Sequence, residues 1–153
     1  ITNSTTNQIY FHNYCSQILK KLLYFSYNTR MDIKKKLSPE AYHITQECGT
    51  EPPFTGEYYN HYETGHYHCV CCDALLFESN TKFDSRSGWP SFYELAKSDC
   101  VRQIEDDSLG YIRIEVRCSS CDAHLAHVFP DGPQPTGKRY CINSVALNFS
   151  EKK

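Results

Sequence analysis

From Asp32 onward the chain alternates apolar and polar residues over short stretches, broken by Gly, Pro, Asn and Asp. Period-two patterning of this length belongs to strands rather than to long helices. In the run 111–117, Ile112, Ile114 and Val116 fall on one face, and Tyr111, Arg113, Glu115 and Arg117 on the other, which predicts a half-buried strand. The stretch 139–149 alternates too, putting Arg139, Cys141, Asn143, Val145, Leu147 and Phe149 on a shared face. One helix is expected near the start. Ser38-Pro39-Glu40 supplies an N-cap hydroxyl and a proline at the first helical position, and Gly49 stops the helix near Glu47-Cys48. Tyr93–Lys97 is at most a short helix, and no internal repeat is apparent. The pattern predicts a mainly antiparallel β domain with one short N-terminal helix.

The first thirty residues are different in kind. They carry Lys20, Lys21 and Arg30 and no acidic residue before Asp32. Their apolar pairs Ile18-Leu19 and Leu22-Leu23 are split by the two lysines, so no secretory signal core forms. Residues 1–31 therefore read as a leader, either an extension upstream of Met31 or a transit-like segment, and residues 32–150 as the folded body. The cytoplasm is the expected compartment, and the mitochondrion the alternative if the leader is a transit peptide. No apolar run approaches the eighteen residues or so of a membrane-spanning helix, so no membrane role is expected. Sixteen Lys and Arg against eighteen Asp and Glu, a net charge of -2, lack the footprint of a nucleic-acid binder. A monomer is the default expectation for one small domain.

Nine cysteines change the picture, because an odd number cannot all pair within one chain. Cys69 and Cys72 form one Cys-x-x-Cys, and Cys118 and Cys121 a second. Such a spacing lets both sulfurs of a tight turn face one ion, and two turns complete a closed tetrahedral thiolate site suited to structural zinc. A pair of disulfides or a redox centre is the alternative. Cys71, inside the first pair, shares the strand parity of Cys69 and stays a competing ligand.

Cys141 stands apart from the other cysteines, between Arg139 and Asn143 on one predicted face. A guanidinium beside a sulfur favours the thiolate, the nucleophilic form, and an amide can hold an anionic sulfur. A buried inert thiol is the competing reading. His124 and His127 supply imidazoles able to exchange protons near neutral pH, or to serve structurally. Gly88-Trp89-Pro90-Ser91-Phe92 sets Trp89 and Phe92 on a constrained turn, either as core or as the apolar wall of a pocket.

Together these motifs resemble one family. Gly49-Thr50-Glu51-Pro52-Pro53-Phe54, the two Cys-x-x-Cys turns, Gly88-Trp89-Pro90-Ser91-Phe92, His124-Leu125-Ala126-His127-Val128-Phe129 and the stretch from Asp131 to Ser144 are similar, in order and spacing, to the methionine-R-sulfoxide reductases, the type B enzymes of methionine repair. The resemblance implies two antiparallel sheets, one structural zinc ion per chain on Cys69, Cys72, Cys118 and Cys121, and Cys141 as nucleophile. It further implies His127 as proton donor with His124 in support, Trp89 against the substrate methyl group, and Asn143 in a positioning role. The cysteine would pass through a sulfenic acid that thioredoxin or a small thiol reduces.

Two positions depart from that pattern. Many members carry a resolving cysteine two residues before the tryptophan, where this chain has Ser87, and the usual glycine between the histidines is Ala126. Cys48, beside Gly49, is the candidate resolver within the body. A zinc-stabilised binding module and a thiol peroxidase are the rival functions.

Overall fold

The computed structural model describes residues 32–152. The leader expected over 1–31, with Cys15, lies outside the described residues. Residues 32–36 are helical, and a separate compact unit starts at Leu37, later than the boundary at residue 32 drawn from the sequence. Among the described residues, no helix is long and apolar enough to cross a membrane.

The compact unit opens with helix α1, Pro39–Glu47. The Ser38 hydroxyl accepts from the Ala41 N–H at 3.1 Å, and Pro39 takes the first turn, as its residue type predicts. Ala41, Ile44 and Thr45, at helical spacing, form the buried face. Cys48, rather than Gly49, adopts the left-handed cap conformation at φ 55°. Gly49 is needed for space instead, since a Cβ there would lie 2.6 Å from the His43 ring.

Nine strands follow among the described residues: β1 Gly65–Cys69, β2 Leu75–Glu78, β3 Lys82–Phe83, β4 Ser91–Phe92, β5 Val101–Asp106, β6 Arg113–Cys118, β7 His124–Phe129, β8 Arg139–Ile142 and β9 Leu147–Glu151. They make two antiparallel sheets, a three-stranded one in the order β2-β1-β9 and a six-stranded one in the order β3-β4-β8-β7-β6-β5. Aromatic side chains join them. Phe77 of the small sheet stacks on Phe92 of the large one at 4.3 Å, and Tyr67 meets Phe92 edge-on at 5.0 Å. Phe77, Phe92 and Tyr67 are fully buried. Burying aromatics this size supplies much of the driving force for the sandwich.

Several expectations need correction. Strand β6 begins only at Arg113, and Ile112, expected on its buried face, is 70% exposed at the tip of the β5–β6 hairpin. The alternating stretch 139–149 is not one strand: a 3₁₀ turn at Ser144–Ala146 carries the chain from β8 in the large sheet to β9 in the small one. Tyr93–Lys97 forms bends and no helix. Phe92, expected as a substrate wall, lies in the core between the sheets. Its neighbour Ser91 takes the other face, because side chains alternate along β4.

Candidate active site and metal centre

Three strands of the large sheet bring the chemistry together. Cys141 on β8 pairs directly with His127 on β7 and with Ser91 on β4. Directly opposed residues point to the same face of a sheet, with Cβ atoms about 5 Å apart. The thiol and imidazole therefore open into one cleft of about 120 Å³, lined also by Trp89, Phe129, Asn143, Thr50, Arg113 and Ala126. A space of this size suits the end of a side chain rather than a large cofactor.

Burial is the first influence on Cys141 and pushes its thiol above its ordinary value. A hydrogen bond from Ser87, the charge of Arg139 and a contact with Ser91 act in the opposite direction. The sulfur lies 3.6 Å from the Ser87 hydroxyl, which joins Ser85 and Ser91 in a short hydroxyl network. Burial thus works against the thiolate that the neighbouring guanidinium favours. Arg139 is itself held in place, forking onto the Asp131 carboxylate at 2.9 and 2.9 Å and lying 4.5 Å over the Phe129 ring. That pairing holds the Asp131 carboxyl below the usual carboxylate range.

Asn143 is fully buried, and its amide is spent on the backbone. Nδ2 donates to Leu125 O at 3.2 Å, and Oδ1 accepts from the Glu51 N–H at 3.1 Å. It fixes the walls of the cleft and makes no bond to the sulfur. Glu51 extends the brace: its carboxylate accepts from the Ser144 and Val145 N–H groups at 2.7 and 3.0 Å, and its main-chain oxygen accepts from Trp89 Nε1 at 3.1 Å. The Trp89 ring is thereby clamped at the cleft. Gly88 permits the turn, with φ at +95° and a Cβ position 2.5 Å from Pro53.

The two histidines stand three residues apart, a spacing that would put them on opposite faces of a regular strand. A bulge in the β6–β7 pairing removes that difference. Glu115 opposes His127 and Arg117 opposes His124, with Leu125 the extra residue and Ala126 at φ 148°. The rings consequently lie 5.8 Å apart on one side. His124 Nδ1 lies 2.5 Å from Glu115, which also accepts from Arg117 Nε at 2.9 Å. Burial pushes the His124 imidazole down, against the pull of Glu115. His127 Nε2 instead meets Asp106 at 2.7 Å. Cys48 is exposed at the end of α1, where its sulfur accepts from Arg117 Nη2 at 2.9 Å.

At the other end of the fold, Cys69, Cys72, Cys118 and Cys121 bring their sulfurs within 4.8 Å of one another. The Cys69–Cys121 and Cys72–Cys118 sulfurs are each 3.6 Å apart. Zinc–sulfur bonds of about 2.3 Å in a tetrahedron set sulfurs about 3.8 Å apart, so the four can hold a metal ion. Cys71 is not one of these four, but its sulfur lies in hydrogen-bond contact with those of Cys69 and Cys121, so it stays a neighbour of the cluster. It sits past the end of β1 and takes a contact from the Gln46 amide at 3.6 Å. The expectation of no internal repeat needs correction here, because the two knuckles share the short pattern Cys-x-x-Cys-Asp-Ala-x-Leu at 69–76 and 118–125. In each, the aspartate adopts φ 64° and its N–H returns to the first cysteine carbonyl, from Asp73 at 2.8 Å and Asp122 at 2.9 Å.

Of the candidates, Cys141, His127, Trp89 and Asn143 line the cleft, Arg139 and His124 adjoin its residues, and Phe92 does not take part. Glu51, Asp106, Arg113, Glu115 and Ser87 complete the surroundings. Of these, Ser87 stood out as a departure from the family pattern, Glu51 lies in the Gly49–Phe54 motif, the charged face of the 111–117 run carries Arg113 and Glu115, and nothing in the sequence signalled Asp106.

The fold is a two-sheet β sandwich with a cleft that pairs a thiol with an imidazole and a four-cysteine cluster able to hold a metal ion. A family model described as the SelR domain matches residues 37–151, and the chain belongs to that family. It is 60% identical over 121 residues to the peptide methionine sulfoxide reductase MsrB of Thioalkalivibrio sulfidiphilus (strain HL-EbGR7), spanning 79% of this chain and 88% of that protein. It is 57% identical over 120 residues to the protein of the same name from Escherichia coli O139:H28 (strain E24377A / ETEC), spanning 78% of this chain and 88% of that protein.

Proposed function

We propose that the protein is an oxidoreductase that reduces the R epimer of methionine sulfoxide in peptides and proteins, with Cys141 as nucleophile. The observation that carries this reading is the direct pairing of Cys141 with His127 at a cleft walled by Trp89. The Cys141 sulfur attacks the sulfoxide sulfur as its thiolate. His127 delivers a proton to the sulfoxide oxygen, which is otherwise a poor leaving group. The oxygen passes from the substrate sulfur to Cys141 as the newly formed sulfur–sulfur bond breaks, so that methionine is released and Cys141, oxidised by two electrons, becomes a sulfenic acid. His124 supports His127, Arg139 favours the ionised sulfur, and Asn143 keeps the walls in register. The Trp89 ring receives the methyl group, so that methyl and oxygen exchange places in the S epimer and the proton donor is missed.

Two equivalents of thiol, from thioredoxin or a small thiol, then return Cys141 to its reduced form and release water and a disulfide. Ser87 lies 3.6 Å from Cys141 and has no sulfur to form an internal bridge, which favours direct attack by the external thiol. Cys48 as resolver is the second reading, supported by its exposure and its contact with Arg117. It adjoins Glu115, two strands and roughly 10 Å from Cys141 along the sheet, so a bridge calls for movement of the end of α1.

The four-cysteine site is read as structural zinc, which suits a closed thiolate set and supplies cross-linking rather than reaction chemistry. A monomeric domain acting in protein repair, in the cytoplasm, with residues 1–31 outside it, completes the proposal. Turnover of R- and S-sulfoxide peptides in dithiothreitol tests it: the R epimer alone is consumed, and preference for the S epimer refutes the assignment.

A further inference from the structure

Asp106 ends β5 and Arg113 begins β6, and the two pair across the hairpin. Arg113 Nη2 donates to Asp106 Oδ2 at 2.7 Å, and the Ser108 N–H donates to Oδ1 at 3.0 Å. The same Oδ2 reaches across β6 to His127 Nε2, also at 2.7 Å. The Asp106 and Arg113 side chains are 18% and 19% exposed, so this contact lies in a partly sheltered place. Hydrogen bonds from Ser108 and His127 and the charge of Arg113 hold the Asp106 carboxyl well below the usual carboxylate range, which keeps it anionic. Around the same ring stand Glu115 from β6, His124 from β7, Arg113 at the cleft and Cys141 from β8. Glu115 is bonded to His124 and Arg117, and Asp106 is the carboxylate bonded to His127.

We propose that Asp106 is a positioning residue for His127, fixing the ring through Nε2 while Nδ1 delivers the proton to the sulfoxide oxygen. The inference rests on His127 being the acid of the proposed reaction. An imidazolium carries two N–H groups. The one on Nε2 stays on Asp106 throughout, and the one on Nδ1 leaves as the sulfur–oxygen bond breaks. The product is a neutral ring in the Nε2–H tautomer, already bonded to its partner. A carboxylate in this place orients the ring, as in the acid–base pairs of hydrolases. Arg113 prevents the carboxylate from swinging away.

The test is single-turnover methionine release from an R-sulfoxide peptide by wild type, Asp106→Ala, Asp106→Asn, Asp106→Glu, His127→Ala and the double variant Asp106→Ala/His127→Ala. Asp106→Ala should slow release about 10- to 100-fold with little change in the half-saturating peptide concentration. Asp106→Asn, nearly isosteric, should lose less, and Asp106→Glu should recover part of the rate. The double variant should be no slower than His127→Ala, because Asp106 acts through that ring. Nitrogen-15 shifts of His127 should report the Nε2–H tautomer in wild type and a mixture in Asp106→Ala. An additive loss in the double variant, or an unchanged rate and tautomer in both Asp106→Ala and Asp106→Asn, overturns the positioning role alone. An unimpaired His127→Ala overturns the acid assignment and this inference with it.

Discussion

His127 and Cys141 oppose each other directly across β7 and β8, so an imidazole and a thiol share one face of the sheet without any loop to hold them there. The row continues to Ser91 on one side and Glu115 on the other. Sites built on paired strands are held more firmly than sites on loops, and here the register sets the spacing of thiol and imidazole.

Burial raises the Cys141 thiol, so its thiolate fraction, and its rate of alkylation, should rise with pH through a midpoint above the value of about 8.5 for a free cysteine. Arg139 opposes burial, and Arg139→Ala should move the midpoint higher still. Iodoacetamide labelling of Cys141, followed by mass spectrometry from pH 6 to 10, measures both. A midpoint below that of a free cysteine contradicts this electrostatic picture.

Glu51 ties the Trp89 loop to the end of β8. Glu51→Ala leaves the buried Ser144 N–H and the Val145 N–H without their acceptor and should cost about 2–4 kcal/mol in urea unfolding. Glu51→Gln, which keeps one acceptor oxygen, should cost less. Equal stability of all three proteins would show that the brace carries no strain-bearing role.

Ala126 occupies a backbone region suited to glycine, at φ 148°, and its methyl lines the cleft. Ala126→Gly should relieve about 1 kcal/mol of strain and enlarge the cleft. Denaturant midpoints and half-saturating concentrations for methyl- and ethyl-sulfoxide substrates test the two effects separately. A less stable glycine variant would mean that the bulge tolerates alanine without strain.

The four-cysteine cluster brings the turn after β1 against the turn after β6. Cys72→Ser should lose about one equivalent of zinc per chain, and losing about 3 kcal/mol should lower the Tm by about 10 °C. Metal analysis and a thermal melt decide it, and an unchanged melt with no bound metal in wild type refutes a structural ion.

Much of this architecture is legible in the sequence because its signals are local. The N-cap of α1 and the paired knuckles are set by residues within one turn. What escaped was long-range or broken in register. Through Ser144–Ala146 the chain keeps a period-two spacing while changing sheets, so Val145 and Phe149 only imitate the face of Cys141. The bulge at Leu125 hides the shared side of His124 and His127. Asp106 comes from a strand two away from His127, and nothing near it in the chain announces that contact. Phe92 shows the reverse case: its motif suggested a pocket, but parity with Ser91 sends it into the core.

The most direct measurement of the central claim is a reductant-free single turnover with excess R-sulfoxide peptide, scoring methionine and the state of Cys141 by mass spectrometry. About one methionine per chain is expected, with an oxygen added to Cys141 that dimedone traps, and no methionine from Cys141→Ser. Methionine formed by Cys141→Ser at the wild-type yield, or formed by wild type with Cys141 still reduced, would contradict it.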